Sequence, residues 1–300
     1  MTFTLVPKGR LVGLSFGTMR SYRRGAGSDV AGSRPYQEGD NVHTIDWAAS
    51  ARLSSARQRD EFIVRERFAE EAPRVVVVAD RRPEMTFFAA PLPWLDKAEA
   101  MRQTVELVIQ SASLVGGFVG YLDFAEGEPY WLPPQGGRRL WELREERLPS
   151  TIFAAPSGSL AEALLYLTEH TKAVTPGSFV FVISDFAEPP PADVWLKALE
   201  RRLDVVPVIV QDPTWEQSFP DVAGIVVPMR DARSGRTTHA RVTRKEVAAR
   251  RAANEERLAS LLADLESLGL DPVLVSSSDP IEILAGFLDW ADMRNLRRVA

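Results

Sequence analysis

Val75-Val-Val-Val-Ala79-Asp80 is a run of small and β-branched apolar residues that ends on a carboxylate. It is too short for a stable helix, and it is apolar on both faces, as parallel strands covered by helices on two sides are. Phe179-Val-Phe-Val-Ile183, Val205-Val-Pro-Val-Ile-Val210 and Asp271-Pro-Val-Leu-Val275 have the same character. Working outward, the segments between these runs show helical spacing. Trp94, Ala98, Met101, Val105, Val108, Ala112 and Val115 form one apolar stripe, and Leu160, Ala163, Leu164 and Leu167 form another that ends near Pro176-Gly177. Leu258, Leu261, Leu262, Leu265 and Leu268 mark a long helix that Gly269 can cap, and Asp279-Pro280 starts a last helix through Trp290. Gly117–Phe124 and Pro129–Leu132 read as a hairpin turning near Glu126-Gly127. Strands alternating with helices predict an α/β fold over residues 71–300, a doubly wound and mainly parallel sheet with helices on both faces.

The first 70 residues are different. Leu11–Phe16 and Glu61–Phe68 read as strands, the second with charged and apolar positions alternating, around a polar stretch rich in Gly, Ser and Arg. Phe16, Tyr22, Tyr36, Ile45 and Trp47 need something to pack against, so the expectation is a small N-terminal β-rich subdomain over residues 1–70, packed on the core.

Composition narrows the class. The 300 residues are 45% hydrophobic, near the globular norm, which excludes a wholly disordered chain. No uncharged apolar run approaches the ~18–20 residues of a membrane span, and Met1–Arg10 lacks the apolar core of a signal peptide, so a cytoplasmic protein without membrane insertion is expected. With no cysteine, disulfides and thiolate chemistry are excluded. A net charge of -5 argues against a dedicated nucleic-acid binder. The basic residues Arg241, Arg244, Lys245, Arg250 and Arg251 are interrupted by Glu246, Glu255 and Glu256 and read as a solvated helix face.

Several enzyme signatures are missing. Gly25-Ala-Gly27 begins like a dinucleotide loop, but Val30 takes the third glycine position; there is no phosphate loop, no nucleophile elbow and no zinc-protease pair, and His43, His170 and His239 are scattered. What remains is acidic. Ligands of doubly wound sheets bind at the carboxyl ends of strands near a topological switch point, and Asp80 and Asp185 each follow a core strand. Two carboxylates at adjacent strand ends repel unless a cation lies between them, either a divalent metal or an arginine. Each Asp could instead simply cap a loop or the following helix.

Asp80 and Asp185 resemble the first and last acidic positions of the metal-adhesion site of the von Willebrand factor A fold. In that site D-x-S-x-S follows the first strand and a later loop supplies a threonine. Here the motif reads Asp80-Arg81-Arg82-Pro83-Glu84, with both serine positions replaced, and Ser159 looks like the counterpart of the threonine. A second resemblance covers nearly the whole chain. Arg34-Pro-Tyr-Gln-Glu-Gly-Asp-Asn-Val-His-Thr-Ile-Asp-Trp-Ala-Ala-Ser-Ala-Arg52, followed by Val64-Arg-Glu66 and Glu70-Glu71, is similar to the signature of the bacterial "domain of unknown function 58" family. Asp212-Pro213, Pro220-Asp221, Arg230-Asp231, Ser234-Gly-Arg236 and Asp279-Pro280 fit its distal end. That resemblance implies an A-type domain with a small β subdomain, acting with a MoxR-type AAA+ ATPase in the assembly or maturation of a client protein. Many members carry N-terminal membrane helices; their lack here implies a cytosolic form.

The substitutions in the metal motif have an electrostatic consequence. An arginine at the first hydroxyl position brings a fixed positive charge to where an ion sits, and two like charges ~4 Å apart repel by about 4 kcal/mol at an effective dielectric of 20. Arg82, or Arg81 if the loop turns the other way, is expected to bridge Asp80 and Asp185 in place of a metal. The other reading is a four-ligand set of Asp80, Glu84, Ser159 and Asp185 holding Mg2+ or Mn2+, the basis of a metal-dependent hydrolase. The expected function is a non-enzymatic interaction protein with no catalytic residue and no cofactor. The Arg34–Arg52 segment also has two readings. As structure, Ile45 and Trp47 are core and Asp46 bonds backbone amides or Arg52. As function, Arg34, Tyr36, Asp40, Asp46, Trp47 and Arg52 form a partner-docking edge.

Overall fold

The computed structural model describes residues 1–8, 14–24, 30–87, 95–136, 138–169 and 172–299. Trp94, His170 and the start of the Leu11–Phe16 strand lie outside them. From the amino end the chain runs through Leu14–Arg24 (β1), Val30–Pro35 (β2), Trp47–Arg57 (α1) and Ile63–Ala72 (β3). These strands form an antiparallel sheet in the order β1-β3-β2. The helix α1 was not expected, because its only buried residue is Ser50 and it has no apolar stripe for a sequence pattern to report.

The main sheet follows. Arg74–Ala79 (β4) leads to Lys97–Leu114 (α2), Phe118–Asp123 (β5), Tyr130–Gln135 (β6), Arg138–Glu142 (α3), Ser159–Glu169 (α4), Phe179–Ser184 (β7), Ala192–Glu200 (α5) and Asp204–Val210 (β8). A hairpin of Val226–Arg230 (β9) and Thr237–Arg241 (β10) interrupts the alternation before Arg244–Ser267 (α6), Val273–Val275 (β11) and Pro280–Val299 (α7). The six strands lie in the order β11-β8-β7-β4-β5-β6, all parallel except β6, which runs antiparallel to β5. Counted from β4, this is the 3-2-1-4-5-6 order of doubly wound sheets, and the switch point falls between β4 and β7. The β5–β6 hairpin needs Gly120, since a Cβ there would lie 2.8 Å from the carbonyl oxygen of Leu132.

Successive residues of β4 enter opposite cores. Val75, Val77 and Ala79 pack with α2 and α7, whereas Val76 and Val78 pack with α4, α5 and α6. Fully burying a valine side chain is worth at most about 1.5–3 kcal/mol, so this one strand anchors both layers. Residues 1–8 lie with the α/β unit, not with the β subdomain assigned to them from sequence. Phe3 packs on Phe287 with ring centroids 4.6 Å apart and edge-on to Trp290 at 5.9 Å, and Leu5 and Val6 share that core. At the amino ends of the strands, Arg294 of α7 bonds Asp204 and Asp271, each at 2.9 Å, and the carbonyl of Val6 at 2.9 Å. The last helix runs well past the expected Trp290 end. Among the described residues no helix is long and apolar enough to cross a membrane.

Candidate functional site

The parallel pairing of Val75 with Phe179 through Ala79 with Ile183 brings the ends of β4 and β7 side by side. The N–H of Asp80 continues that ladder by donating to the carbonyl of Ile183 at 2.9 Å. Asp80 and Asp185 therefore lie at the switch point, both buried. Between them is the guanidinium of Arg82, itself only 1% exposed. Its Nε donates to both oxygens of Asp80 at 3.0 Å, and its Nη2 donates to Asp80 Oδ2 at 2.6 Å and to Asp185 Oδ1 at 3.0 Å. Nη1 lies 3.3 Å from Glu188. Ser184 donates its hydroxyl to Asp80 Oδ2 at 2.6 Å, and the Ala187 N–H donates to Asp185 Oδ1 at 2.9 Å.

A second cation completes the cluster. Lys97, the first residue of α2 and fully buried, donates from Nζ to Asp185 Oδ2 at 2.6 Å and to Glu216 Oε1 at 2.8 Å. Glu216 is fixed in turn by the Asp212 N–H at 2.8 Å. Neither residue was singled out from sequence. A signal existed for Lys97, which stands four residues before Met101 on the buried side of α2, where Ala98 was expected and is only half-buried. Glu216 sits in the loop after β8 and carries no periodic signal.

The electrostatics follow from this packing. Burial alone would depress both cations, but Asp80 and Asp185 hold the Arg82 guanidinium above its ordinary value, and Asp185 and Glu216 do the same for Lys97. Burial pushes Asp185 up, and the opposing charges of Lys97 and Arg82 win, leaving it below the ordinary carboxylate range. Glu216 pairs with Lys97 and accepts from the Asp212 N–H, but burial outweighs both and its carboxyl is raised.

The remaining sequence candidates go elsewhere. Arg81 does not bridge the pair; it donates to the carbonyls of Ser150 at 2.7 Å and Arg147 at 3.0 Å, stacks on Phe153 and lies 3.7 Å from Asp123 at the end of β5. Glu84, in the short turn Pro83–Thr86, pairs with Arg233 at 2.8 Å. Ser159 is the first residue of α4, its N–H bonded to the carbonyl of Pro156. Of the four-residue set, Glu84 is engaged by Arg233, and Asp80 and Asp185 by Arg82 and Lys97. Each of the four oxygens of Asp80 and Asp185 already accepts a hydrogen bond from a cationic side chain, all within 3.0 Å. The donor set fits two cations from the chain itself and, as folded, does not fit a hard divalent ion.

The Arg34–Arg52 segment divides into a clamp and an exposed surface. Arg34 makes a two-pronged pair with Asp40, both bonds 2.6 Å, and reaches Glu66 at 3.1 Å. Asp46 caps α1 by accepting from Ala49 N–H at 3.1 Å and pairs with Arg65 at 2.7 Å, not with Arg52, whose Nε bonds the carbonyl of Ala48. The core reading of Trp47 is overturned. Trp47 is 59% exposed at the start of α1 and lies edge-on to Phe62, itself 44% exposed, with ring centroids 5.9 Å apart. Ile45 is half-buried in a bridge to Val64, and Tyr36 and Val42 are exposed.

A doubly wound α/β domain with a clamped antiparallel sheet beside it is thus the class of protein present. Its residues 32–260 match the family described as "Protein of unknown function DUF58", and the chain belongs to that family. Uncharacterized proteins of Mycobacterium bovis and Mycobacterium tuberculosis are 27% identical over 234 residues, spanning 78% of this chain and 70% of theirs. Among solved structures, the conserved hypothetical protein BatB from Bacteroides thetaiotaomicron is similar at 18% identity and a TM-score of 0.43, over 74% of this chain and 98% of that one. An aerotolerance-related membrane protein from Bacteroides fragilis is similar at 15% identity and a TM-score of 0.39, over 66% and 98%.

Proposed function

We propose that this chain is a non-enzymatic adaptor, cytoplasmic, that works with a MoxR-type AAA+ ATPase on a client protein, and that its strand-end site is a von Willebrand factor A-type metal site whose ion has been replaced by Arg82 and Lys97. The observation that carries the reading is the Trp47–Phe62 pair, two large aromatic side chains left exposed on a sheet whose loops are clamped by Arg34–Asp40 and Asp46–Arg65. Rigid exposed aromatics flanked by arginine are the composition of interface hot spots. The locked carboxylates support the non-enzymatic part. With Asp80 and Asp185 each held by two or more donors, neither is left as a free base or metal ligand.

Co-purification of the tagged full chain with a MoxR-type ATPase tests the reading. Wild type is expected to retain the ATPase and Trp47→Ala to lose it with an unchanged thermal melt. Repeated absence of any AAA+ ATPase from the wild-type eluate would overturn the partnership. Calorimetric titration with Mg2+ or Mn2+ is expected to show no tight binding. A tight heat abolished in Asp185→Ala would favour the hydrolase reading instead.

A further inference from the structure

Among the described residues the β9–β10 ribbon stands outside both larger sheets, and its two strands pair with each other alone. The register pairs Val226 with Arg241, Pro228 with His239 and Arg230 with Thr237. Asp231 N–H donates to the carbonyl of Arg236, and Val242 N–H to that of Ile225. These bonds fix the phase of the ladder: odd-numbered residues of β9 and even-numbered residues of β10 bond inward, so the others present their backbone groups outward. On the β9 side the outward set includes Pro228, which has no N–H and blunts that edge. On the β10 side it is Thr237, His239 and Arg241, with every N–H present and no backbone partner among the described residues.

This open edge carries a strong charge. Arg230, Arg236, Arg241, Arg244 and Lys245 are exposed and have no acidic partner among the described residues, although the chain as a whole is at -5. The glutamates that interrupt the basic run in sequence form no close ion pair with it among the described residues, although, after the hydrogen bonds from Thr243, Arg250 also draws the Glu246 carboxyl down at longer range. Glu246 is spent in the capping box with Thr243, and Glu255 accepts from Ser218. Arg244, Lys245, Arg250 and Arg251 lie exposed on α6, in line with the sequence reading of a solvated helix face.

We infer that the free edge of β10 is a docking site for an acidic, extended segment of a partner protein, which adds a third strand through Thr237, His239 and Arg241 and sets its carboxylates against Arg241, Arg244 and Lys245. Strand addition needs a row of unpaired N–H and C=O groups, which this edge has, and charge complementarity selects an acidic strand. A nucleic acid fits less well, because residues 225–245 contain no Phe, Tyr or Trp and His239 alone offers a ring on which a base could stack. A second copy would bring the same unpaired cations face to face. The site is separate from the Trp47–Phe62 surface and does not depend on its assignment.

The test uses the full chain and fluorescein-labelled peptides of alternating Glu and Val, read by anisotropy, with amide hydrogen exchange as the structural readout. The peptide is expected to bind in a salt-dependent manner and to slow exchange at Thr237, His239 and Arg241. The double variant Arg241→Glu, Arg244→Glu, checked by its melt, is expected to lose at least tenfold in affinity. A peptide of the same charge with Pro at alternate positions, unable to pair, is expected to bind at least tenfold more weakly. Equal binding of the Pro peptide, no exchange protection on β10, concentration-dependent dimerisation that consumes this edge, or preferred binding of a single-stranded oligonucleotide of equal charge would each overturn the inference.

Discussion

The ends of β4 and β7 and the small antiparallel sheet use the same chemical parts, arginines paired with aspartates, in opposite surroundings. Around Asp80 and Asp185 every charged group of the pair and its two cations is nearly inaccessible to water. In the small sheet the guanidinium partners are open, Arg65 at 46% and Arg34 at 32%. Exposed pairs contribute little to stability because water and salt compete for them, whereas removing one partner of a buried pair strands an uncompensated charge. The first arrangement is a structural lock, and the second is a brace that holds an aromatic surface in place.

The most damaging way to break this contrast is Arg82→Met. It leaves Asp80 and Asp185 buried with one shared cation fewer, and a loss of about 3–5 kcal/mol is expected in urea denaturation. Adding Asp80→Asn, which removes the stranded charge, is expected to recover a substantial part. If Arg82→Met alone unfolds no more easily than wild type, the guanidinium is not the counter-charge of the pair.

The pH dependence of the lock should be next in size. Asp185 titrates below its ordinary value in the folded state, so its contribution is complete above the unfolded value of about 3.9 and is lost as pH falls through the lower folded value. Glu216 has the opposite sign. Its folded value is raised, so its contribution is present below the unfolded value of about 4.3 and is lost as pH rises through the folded one. Denaturation midpoints measured from pH 2 to 7 are expected to show a flattened acid limb in Asp185→Asn, and in Glu216→Gln a gain over wild type that grows above pH ~4.3. A parallel offset at all pH values in both variants would show that neither group titrates as the geometry requires.

A smaller effect is expected at the brace. Asp46→Ala removes both the α1 cap and the Arg65 partner. A modest drop in melting temperature, well short of that of Arg82→Met, should accompany faster amide exchange in the first turn of α1. A drop as large as that of Arg82→Met would mean the two regions do not differ in kind.

The same contrast explains what could be read from sequence. Val75–Ala79, Phe179–Ile183 and Val205–Val210 were legible as strands because burial on two faces leaves an unbroken apolar run, and the strand-end positions of Asp80 and Asp185 follow from that. Arg82 was legible as a counter-ion because it occupies a motif position next to a carboxylate. Lys97 was not, since a lysine at the start of an apolar stripe reads as a helix boundary until the fold shows an acid above it. Helix α1 escaped because its stability comes from the Asp46 cap and from Ala and Arg propensity, with Ser50 its single buried residue. Trp47 was misplaced for a related reason. Tryptophan is usually buried on average, and nothing in an isolated chain shows that the neighbouring residues supply no core to receive it.

Trp47→Ala is the substitution for which the fold should change least. The indole is 59% exposed, and Phe62, its one aromatic neighbour among the described residues, is itself open to solvent. Truncation creates no cavity and strands no polar group, the two usual sources of large losses, so stability should shift by no more than about 0.5 kcal/mol. Phe62→Ala should behave alike, and the double variant should be nearly additive in stability apart from the weak edge-to-face contact. In partner capture the two residues are expected to be non-additive, because each presents the other: either single variant should abolish most of the binding and the double little more. A melt lowered by several degrees in Trp47→Ala would return the side chain to a structural role and remove the main support for a docking surface on this sheet.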